Sequence, residues 1–420
     1  MKYSRQKGTK DLYGEEILKW QAVEEKIRSV CKSFNITEIR TPVFESTDLF
    51  VRSVGDDSDI VNKEMYTFKD RGDRSITLRP ENTAGVVRAY IENGMGSMPS
   101  PVKLWYLSNV YRYEKMQKGR YREFNQFGVE MFGSSSEFAD VEAISIPYTL
   151  FKKLGIEDEV SLNINSIGCK ECRAKYITAL KEYISKNIEN MCEDCQRRFV
   201  QNPLRIIDCK EEKCKKYLEE KPIIVDYLCE ECSNHFAKVK ELLEEQNIKY
   251  TVDPDIVRGL DYYNRTVFEF ISKSLSLTVC GGGRYDGLVS ECGGEDTPAV
   301  GFGLGMERLI LLLDSLEKNK MQKKIDVYIA ALGEEQRKFA YNLANKLREE
   351  DLTVDVDISS RSYKAQMKYA NKMNAKYTIT LGEDELKTKI VTLKNMEDKE
   401  KSFTCDLDFK SIAKAIKMFK

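Results

Sequence analysis

The chain has 420 residues, which allows roughly two to four domains with a hydrophobic core each. Charged residues make up 32% of it but the formal net charge is only −1, so any nucleic-acid contact must depend on local basic patches. His235 is the single histidine, which nearly excludes chemistry that depends on imidazole side chains. Because the sequence shows neither an export signal nor an apolar run of about 20 residues, we expect a cytosolic protein without membrane contact.

The first part of the chain predicts short elements of mixed type. Apolar residues recur at helical spacing near the start, and β-branched and aromatic residues are frequent in the runs that follow. The predicted elements are a helix over 15–34, a strand over 36–44 interrupted by Pro42, a hairpin of 63–68 and 75–79, and a helix over 84–92.

A longer hairpin is predicted from the runs Leu104–Arg112 and Tyr121–Glu130, which are joined by the basic loop 115–120. In the second run, Gln126 and Glu130 fall on the same face because side chains alternate along a strand. A core would require an apolar face here, so the polar face predicts that this strand lines a cavity.

Residues 168–250 differ from their surroundings, since they are rich in lysine, glutamate and predicted helix, and we interpret them as an inserted domain. They contain eight paired cysteines: Cys169 and Cys172, Cys192 and Cys195, Cys209 and Cys214, and Cys229 and Cys232. Four chelating pairs match two tetrahedral zinc sites of four thiolates each. The alternatives are reduced thiols at helix ends or occasional disulfides, and the spacing leaves open which pairs combine.

A strand is predicted again at 266–270, and polar side chains crowd its entrance, which suggests a site. These side chains are Arg258, Asp261, Tyr262, Tyr263 and Arg265.

Two glycine-rich stretches follow, at 280–288 and 299–305, and neither has the spacing of a phosphate-binding glycine loop. Taken alone, each is most often an ordinary turn. Bare backbone at Gly301, Gly303 and Gly305 would let a flat ligand lie against the strand beside Arg308, and Arg284 with Tyr285 would border a second close approach.

Beyond residue 324 the sequence predicts a separate small α/β domain. Strands at 325–332, 353–358 and 377–381 alternate with helices at 334–349 and 363–374. The second helix places Lys364, Lys368 and Lys372 on one face, with Arg361 before it and Lys376 after it. Such a face is usually only solvated, and the alternative is a nucleic-acid surface.

Several stretches resemble the motifs that define class II aminoacyl-tRNA synthetases. The first helix with the Pro42 strand is similar to motif 1, Tyr111–Glu114 with the loop to Arg120 to motif 2, and Gly301–Arg308 to motif 3. The stretches Arg258–Tyr263, Gly281–Gly287 and Leu78–Gly85 are similar to signatures of the histidyl-tRNA synthetase family. The resemblance covers almost the whole chain.

This resemblance implies an α/β multidomain protein whose catalytic core is an antiparallel sheet flanked by helices and, through motif 1, a homodimer. The expected domains are the first part of the catalytic core over 1–167, a helical insertion with the cysteine pairs over 168–250, the second part of the core over 251–320, and an α/β anticodon-binding domain over 325–420.

The resemblance also implies a reaction, in which ATP with Mg²⁺ activates histidine to histidyl-adenylate and the histidine then passes to the 3′ end of tRNA(His). The expected catalytic residues are Arg112, Arg258 and Arg308, whose fixed charges would offset the charge on the phosphate oxygens. The residues expected to bind ATP are Arg112, Glu114, Gly303, Gly305 and Arg308. The residues expected to bind histidine are Glu81, Thr83, Gln126, Glu130, Tyr263 and Tyr285.

For tRNA, the resemblance implies contacts from Gln117 and Arg122 at the acceptor end, and favours an anticodon surface on Arg361, Lys364 and Lys368. The chain departs from the commoner loop at Tyr113, Lys115, Met116 and Asn125, which leaves individual base contacts open. Many family members lack the cysteine pairs, which implies a structural role for zinc rather than a catalytic one.

The alternative function is a catalytically silent, synthetase-like regulatory subunit of histidine biosynthesis. Such a protein typically lacks the C-terminal domain and loses catalytic arginines, whereas this chain retains both. A synthetase-like RNA sensor would need a further effector domain, and the sequence indicates none.

Overall fold

The computed structural model describes residues 3–55, 60–209, 211–256, 260, 262–318 and 324–418. The chain divides into two compact units, one of residues 1–11 and 20–319 and the other of residues 12–19 and 320–420. No described helix combines the length and the apolar character needed to span a bilayer.

The elements up to residue 318 fall into a strand-rich core and a run of helices between β7 and β8. The strands are β1 Thr37–Glu38, β2 Phe44–Ser46, β3 Tyr66–Lys69, β4 Ser75–Leu78, β5 Val102–Tyr111, β6 Glu123–Phe132, β7 Val160–Ser166, β8 Tyr250–Val252, β9 Asn264–Ser272, β10 Thr278–Arg284 and β11 Ala299–Gly305. The helices are α1 Glu15–Ser33, α2 Thr47–Val54, α3 Thr83–Glu92, α4 Glu137–Leu154, α5 Lys170–Ser185, α6 Glu193–Gln201, α7 Glu212–Lys215, α8 Glu230–Glu245, α9 Leu288–Glu291 and α10 Met306–Ser315.

Eight strands form the central sheet in the order β1-β5-β6-β11-β10-β9-β7-β8. All pairs are antiparallel except the two outermost, β1 with β5 and β7 with β8, which are parallel. A separate sheet of three strands has the order β2-β4-β3. Together with the flanking helices this confirms the predicted fold class.

The long hairpin is present as predicted, since β5 pairs with β6 over ten residues from Val102 opposite Phe132 to Tyr111 opposite Glu123. The predicted strand over 36–44 is wrong as one element, because Pro42 lies between the short strands β1 and β2. The first glycine-rich stretch is not a turn either. Its residues 280–284 lie in β10, which pairs with β9 on one side and β11 on the other.

Helix α4 is fixed to the sheet by a buried ion pair between Asp140 and Arg284, both of which are fully buried. Arg284 Nη2 donates to Asp140 Oδ2 over 2.5 Å, and the same guanidinium donates to the main-chain oxygens of Ser134 and Ser136. The suggestion that Arg284 borders a ligand is therefore wrong, because its donors are used within the fold. His235 is also structural, with its Nε2 3.3 Å from Asp140 Oδ2.

The second unit contains a five-stranded sheet in the order β13-β12-β14-β15-β16. Its strands are β12 Ile325–Ala331, β13 Val354–Val356, β14 Ala375–Leu381, β15 Ile390–Asn395 and β16 Phe403–Asp406. Its helices are α11 Glu334–Arg348, α12 Tyr363–Lys372, α13 Glu383–Thr388 and α14 Phe409–Met418. Helix α12 packs against β12 and β14, whereas α11 packs with α14, and the sequence prediction missed the elements after β14.

We expect Asp140→Asn to destabilise the larger unit by about 3–5 kcal/mol, because the Arg284 charge would stay buried without its counter-ion. Urea unfolding followed by circular dichroism measures the change. Asp73→Asn is the matched control, since Asp73 pairs with Lys69 at the surface and its loss should cost at most about 1 kcal/mol. Equal urea midpoints for the two variants would contradict the expected contribution of the buried pair to stability.

Candidate active site

A cavity of about 440 Å³ lies over the central sheet, where the loop after β5 meets β10, β11 and the start of α10. We call it the phosphate cavity because three arginines in its lining, Arg112, Arg120 and Arg308, suit a polyphosphate. Its charged lining residues are Arg112, Glu114, Arg120, Asp208, Glu269, Glu307 and Arg308. Gly303 and Gly305 also border it.

Three guanidinium groups, those of Arg112, Arg120 and Arg308, converge on this cavity. Arg112 Nε donates to the oxygen of Pro80 over 2.7 Å, and Arg308 Nη1 donates to the oxygen of Thr278 over 2.6 Å. Each of these two side chains is therefore anchored at one nitrogen and keeps others for a ligand. Burial and then the nearby charge of Arg120 lower the pKa of Arg308, which means that an anion here would relieve an unfavourable concentration of positive charge.

Acidic side chains lie among the arginines of the cavity. Glu114 lies between two of them, with Oε1 3.8 Å from Arg112 Nη1 and Oε2 3.2 Å from Arg120 Nη1. Glu307 accepts hydrogen bonds from the main-chain and side-chain nitrogens of Asn125, which connects α10 to β6. Asn125, one of the departures from the commoner family loop, thus has a structural partner.

A second, buried group of polar side chains surrounds Glu130, and we call it the polar pocket. Tyr285 donates a hydrogen bond to Glu130 Oε2 over 2.5 Å, while Thr83 and Tyr106 donate to Oε1 over 2.8 and 3.1 Å. The Tyr263 ring lies 6.4 Å from the Tyr285 ring, measured between centroids. The predicted residues Thr83, Glu130, Tyr263 and Tyr285 therefore come together.

Glu81 and Gln126 lie at the edge of the same pocket, and each is hydrogen-bonded to a residue within it or next to it. Glu81 accepts hydrogen bonds from the main-chain nitrogens of Thr83 and Ala84, so it caps α3 as well as facing the pocket residues. Gln126 accepts a hydrogen bond from Asn82 Nδ2 over 3.1 Å. Burial raises the pKa of Glu81 despite these donors, because water no longer solvates the carboxylate.

Burial also raises the pKa of Glu130 to about 8, although the hydroxyl donors of Tyr285 and Thr83 act in the opposite direction. In the phosphate cavity, burial similarly raises the pKa of Glu307 to about 7. Two carboxyl groups near the site are therefore poised to change charge close to neutral pH.

The glycines of β11 admit side chains from the neighbouring strand. A Cβ at Gly301 would collide with the Glu130 carboxylate, and one at Gly303 with the Gln126 amide. The expectation of bare backbone is therefore wrong at these two positions, although Gly303 still borders the cavity. Only at Gly305 is the added atom unobstructed, with Arg308 as its nearest neighbour at 3.8 Å.

The structure leaves part of the expected site undescribed, since Arg258 and Asp261 lie outside the described residues. In the loop after β5, Gln117 is exposed and bridges to Arg120. Arg122 lies beneath it with its guanidinium 3.7 Å from the centre of the Tyr113 ring, and its side chain fills the space beside Gly8.

In the second unit, Lys364, Lys368 and Lys372 are exposed on one face of α12. Arg361 is held at the start of this helix, with its guanidinium 4.4 Å from the Tyr369 ring centre and its Nε 3.7 Å from Asp357 Oδ1. The basic face predicted from spacing is therefore open to a partner.

The eight paired cysteines form two groups, each with sulfur atoms within 4.8 Å of one another. The base cysteine group consists of Cys169, Cys172, Cys229 and Cys232, and the distal cysteine group consists of Cys192, Cys195, Cys209 and Cys214. The first pair thus combines with the fourth and the second with the third, which the spacing had left open.

The cysteine geometry suits a metal ion better than disulfides. All twelve cysteines are free, with sulfur separations of 3.5 Å between Cys169 and Cys172 and 3.8 Å between Cys192 and Cys209. A tetrahedron with metal–sulfur bonds of about 2.3 Å has edges of about 3.8 Å, whereas a disulfide bond is about 2.05 Å. Both groups are therefore candidate metal sites with four thiolates.

The four thiols of one group can all lose their protons only if a cation offsets the negative charges that result. Although burial opposes it, hydrogen bonds from the main chain and thiol of Cys172 lower the pKa of Cys169 to about 7. Burial, followed by neighbouring thiols, raises the pKa of Cys232 and of Cys195. A bound divalent ion would remove this conflict.

Sequence reasoning missed several residues of the site. Tyr106, the third donor to Glu130, is two residues from Ser108 on β5, so both side chains lie on the same face of the strand. Ser108 donates a hydrogen bond to Asn82, and this pair of polar residues could have indicated the polar face from the sequence. Arg120 was read only as part of a loop. Nothing in the sequence around Glu269 or Asp208 indicates a site. Folding brings them to the cavity, Glu269 from β9 and Asp208 from the helical insertion.

Comparisons with known proteins agree with one another. A family model described as histidyl-tRNA synthetase matches residues 8–309, and one described as anticodon binding domain matches residues 326–418. The histidine–tRNA ligase of Acetivibrio thermocellus is 54% identical over 397 residues, covering 94% of this chain and 95% of the relative. That of Caldanaerobacter subterraneus subsp. tengcongensis is 51% identical over 417 residues, covering 98% of each. The crystal structure of apo S. aureus histidyl-tRNA synthetase superimposes with a TM-score of 0.83 at 37% identity, covering 99% of this chain and 100% of that one.

We expect the ligand-free protein to lose stability as pH rises from about 5 to 8, because the folded state keeps protons on Glu130 and Glu307 that the unfolded chain releases near its normal pKa of 4.5. One such proton corresponds to a slope of up to about 1.4 kcal/mol per pH unit. Unfolding free energies measured between pH 5 and 8 should show a shallower slope for Glu130→Gln and for Glu307→Gln. Slopes equal to that of the parent would contradict the raised pKa values.

Proposed function

Because the chain belongs to the histidyl-tRNA synthetase family and acts as a histidine–tRNA ligase, we propose that ATP binds in the phosphate cavity and histidine in the adjoining polar pocket. The observation that carries this division is the location of the cations. The guanidinium groups of Arg112, Arg120 and Arg308 all line the cavity, whereas buried hydroxyls and carboxyls around Glu130 form the pocket. The two meet along β6, where Gln126 borders both.

In the first half-reaction a histidine carboxylate oxygen attacks the α-phosphorus of ATP, and pyrophosphate leaves. Both reactants are negatively charged, so fixed cations must offset the charge that develops on the phosphate oxygens. We assign this role to Arg112 and Arg308 from their anchored positions, and to Arg258 from its match to the family signature. Glu114 would bind the adenine, and Gly303 and Gly305 would border the nucleotide.

Mg²⁺ would accompany the ATP phosphates and neutralise part of their charge. The acidic side chain that lines the cavity on β9, Glu269, is suited to such an ion because Mg²⁺ prefers oxygen ligands.

Histidine recognition would depend on the polar pocket. Glu130 and Tyr263 would pair with the imidazole nitrogens, Tyr285 would orient Glu130, and Glu81, Thr83 and Gln126 would hold the α-ammonium. An amino acid without ring nitrogens would leave these buried groups unpaired, which allows rejection by roughly 10⁴-fold without editing.

For the second half-reaction, we assign the acceptor end of tRNA(His) to the loop with Gln117 and Arg122 and the anticodon to Arg361, Lys364 and Lys368. The exposed basic face of α12, within the residues matched by the anticodon-binding model, supports the second assignment. A homodimer, a cytosolic location and the four-part domain division remain proposals from the resemblance.

The regulatory alternative is not supported. The relatives at about half identity are named histidine–tRNA ligases, and the C-terminal residues that regulatory subunits typically lack match the anticodon-binding model. A solved structure described as a regulatory subunit or synthetase is only 23% identical and shows the fold alone.

We further propose that both cysteine groups bind structural Zn²⁺. The donors fit, since each group offers four sulfur atoms at separations suited to a tetrahedral ion, and three of the pairs place their first cysteine at the start of a helix, where the dipole favours a thiolate. When bound, zinc would cross-link the insertion. Among the described residues, neither Arg112 nor Arg308 is bonded to these sulfurs.

The function is tested by ATP–pyrophosphate exchange with each amino acid in turn. We expect exchange with histidine alone, and we expect Arg308→Ala to lower its rate by roughly 10² to 10³, the magnitude for losing one transition-state donor. Lys338→Ala, on an exposed part of α11, is the control and should exchange like the parent. A silent parent protein would favour the regulatory alternative, and a normal rate in Arg308→Ala would remove that residue from the chemistry.

Protein purified under reducing conditions with zinc present should contain about two zinc ions per chain by elemental analysis, because there are two tetrathiolate groups. A chelator that removes the zinc should lower the melting temperature, since zinc binding stabilises only the folded state. Zinc-free protein that melts at the same temperature would refute the proposal.

A further inference from the structure

The base cysteine group lies directly against the segment that carries Tyr262 and Tyr263. The link begins at Gly168, which precedes the first cysteine of the group. Arg265 donates its main-chain N–H to the Gly168 oxygen over 2.9 Å, and Ile167 donates to the Arg265 oxygen over 2.8 Å. The chain before the cysteines is therefore paired, residue by residue, with the chain after the tyrosines.

Space around this junction is tightly limited. Gly168 has a φ of +63°, and a Cβ there would collide with Cys172 and approach Leu228 to 3.1 Å. Arg265 has a φ of +50°, which a residue with a side chain rarely adopts. The surrounding contacts must therefore hold Arg265 in this conformation, and the base cysteine group is on one side of it.

Two side chains attached to the same group reach the recognition segment. Arg173, next to Cys172, donates from Nη1 to the main-chain oxygen of Tyr263 over 3.1 Å. Glu231, next to Cys232, accepts a hydrogen bond from Arg265 Nη2 over 2.5 Å. One contact comes from each of the two helices that the cysteines would join, α5 and α8.

We propose that the base cysteine group positions the histidine-recognition segment Tyr262–Arg265, so that its ligation sets the affinity for histidine. Joining the four sulfurs fixes α5 relative to α8, and with them Arg173 and Glu231. The main-chain oxygen of Tyr263 then has a fixed donor, and its ring stays beside Tyr285. Without ligation, the two helices are free to separate and the tyrosine loses its orientation. This inference rests on the proposed placement of histidine in the polar pocket.

The distal cysteine group provides the internal comparison. It has the same donor set and the same need for a cation, but the hydrogen bonds of its sulfur atoms join its own members, such as Cys192 N–H to Cys214 sulfur over 3.2 Å. None of its members contacts Tyr262–Arg265 among the hydrogen bonds of the described residues. Losing its metal should therefore disturb the insertion without a specific effect on histidine.

The test compares Cys172→Ser in the base group with Cys195→Ser in the distal group, in the full-length protein. Zinc content is measured by elemental analysis, and equilibrium binding of histidine and of ATP is measured separately by calorimetry. We expect each variant to lose about one zinc ion. Only Cys172→Ser should weaken histidine binding, by roughly tenfold, with ATP binding within twofold of the parent. Equal histidine affinities in the two variants would overturn the inference.

A second variant leaves every thiol in place. Glu231→Gln removes the ion pair to Arg265, and the neighbouring exposed Glu230→Gln is its matched control. We expect full zinc content in both and histidine binding weakened about three- to tenfold in Glu231→Gln alone. If Cys172→Ser does not fold, this pair decides, and parent-like binding in Glu231→Gln overturns the inference. A parent protein that binds no histidine would instead overturn the proposed function.

Discussion

The close approach of strands β5, β6 and β11 is the constraint on which the site depends. A carboxylate can be buried within a sheet only if the next strand leaves room for it, and Gly301 provides that room for Glu130. Gly303 does the same for Gln126, and Gly128 for the Tyr106 ring. With any larger residue, the polar pocket would close or the strands would separate. The glycines of β11 thus leave room for side chains of the polar pocket as well as bordering the phosphate cavity.

Two electrostatic environments lie side by side on this sheet. The phosphate cavity keeps three guanidinium groups partly desolvated, and burial, followed by the charge of Arg120, lowers the pKa of Arg308. The polar pocket instead buries Glu130, which raises its pKa to about 8, and surrounds it with hydroxyl donors that act in the opposite direction. The first environment suits charge stabilisation in phosphoryl transfer, and the second suits discrimination by hydrogen bonding. The buried Arg284–Asp140 pair fixes the strand from which Tyr285 continues, so the pocket rests on a rigid support.

The helical insertion contacts the candidate site as well as carrying the cysteine groups. Small modules commonly depend on metal or disulfide cross-links in addition to a hydrophobic core. Its cysteine pairs are nested, so the base group closes the insertion where it leaves the core and the distal group closes it further along the chain. The base group also adjoins Tyr262–Arg265, which brings a candidate metal site next to the proposed recognition segment.

From the amino-acid sequence we could infer the family, the fold class, the long β5–β6 hairpin, the polar character of the strand with Gln126 and Glu130, and the eight chelating cysteines, because these depend on local alternation and on short motifs. The folded structure was needed to show which cysteine pairs combine and that Arg284 is a buried cross-link rather than a ligand contact. It was also needed to show that Tyr106, Arg120 and Glu269 lie at the candidate site. Those facts depend on contacts between residues far apart in the chain, and local pattern carries no information about which distant side chain fills a given space.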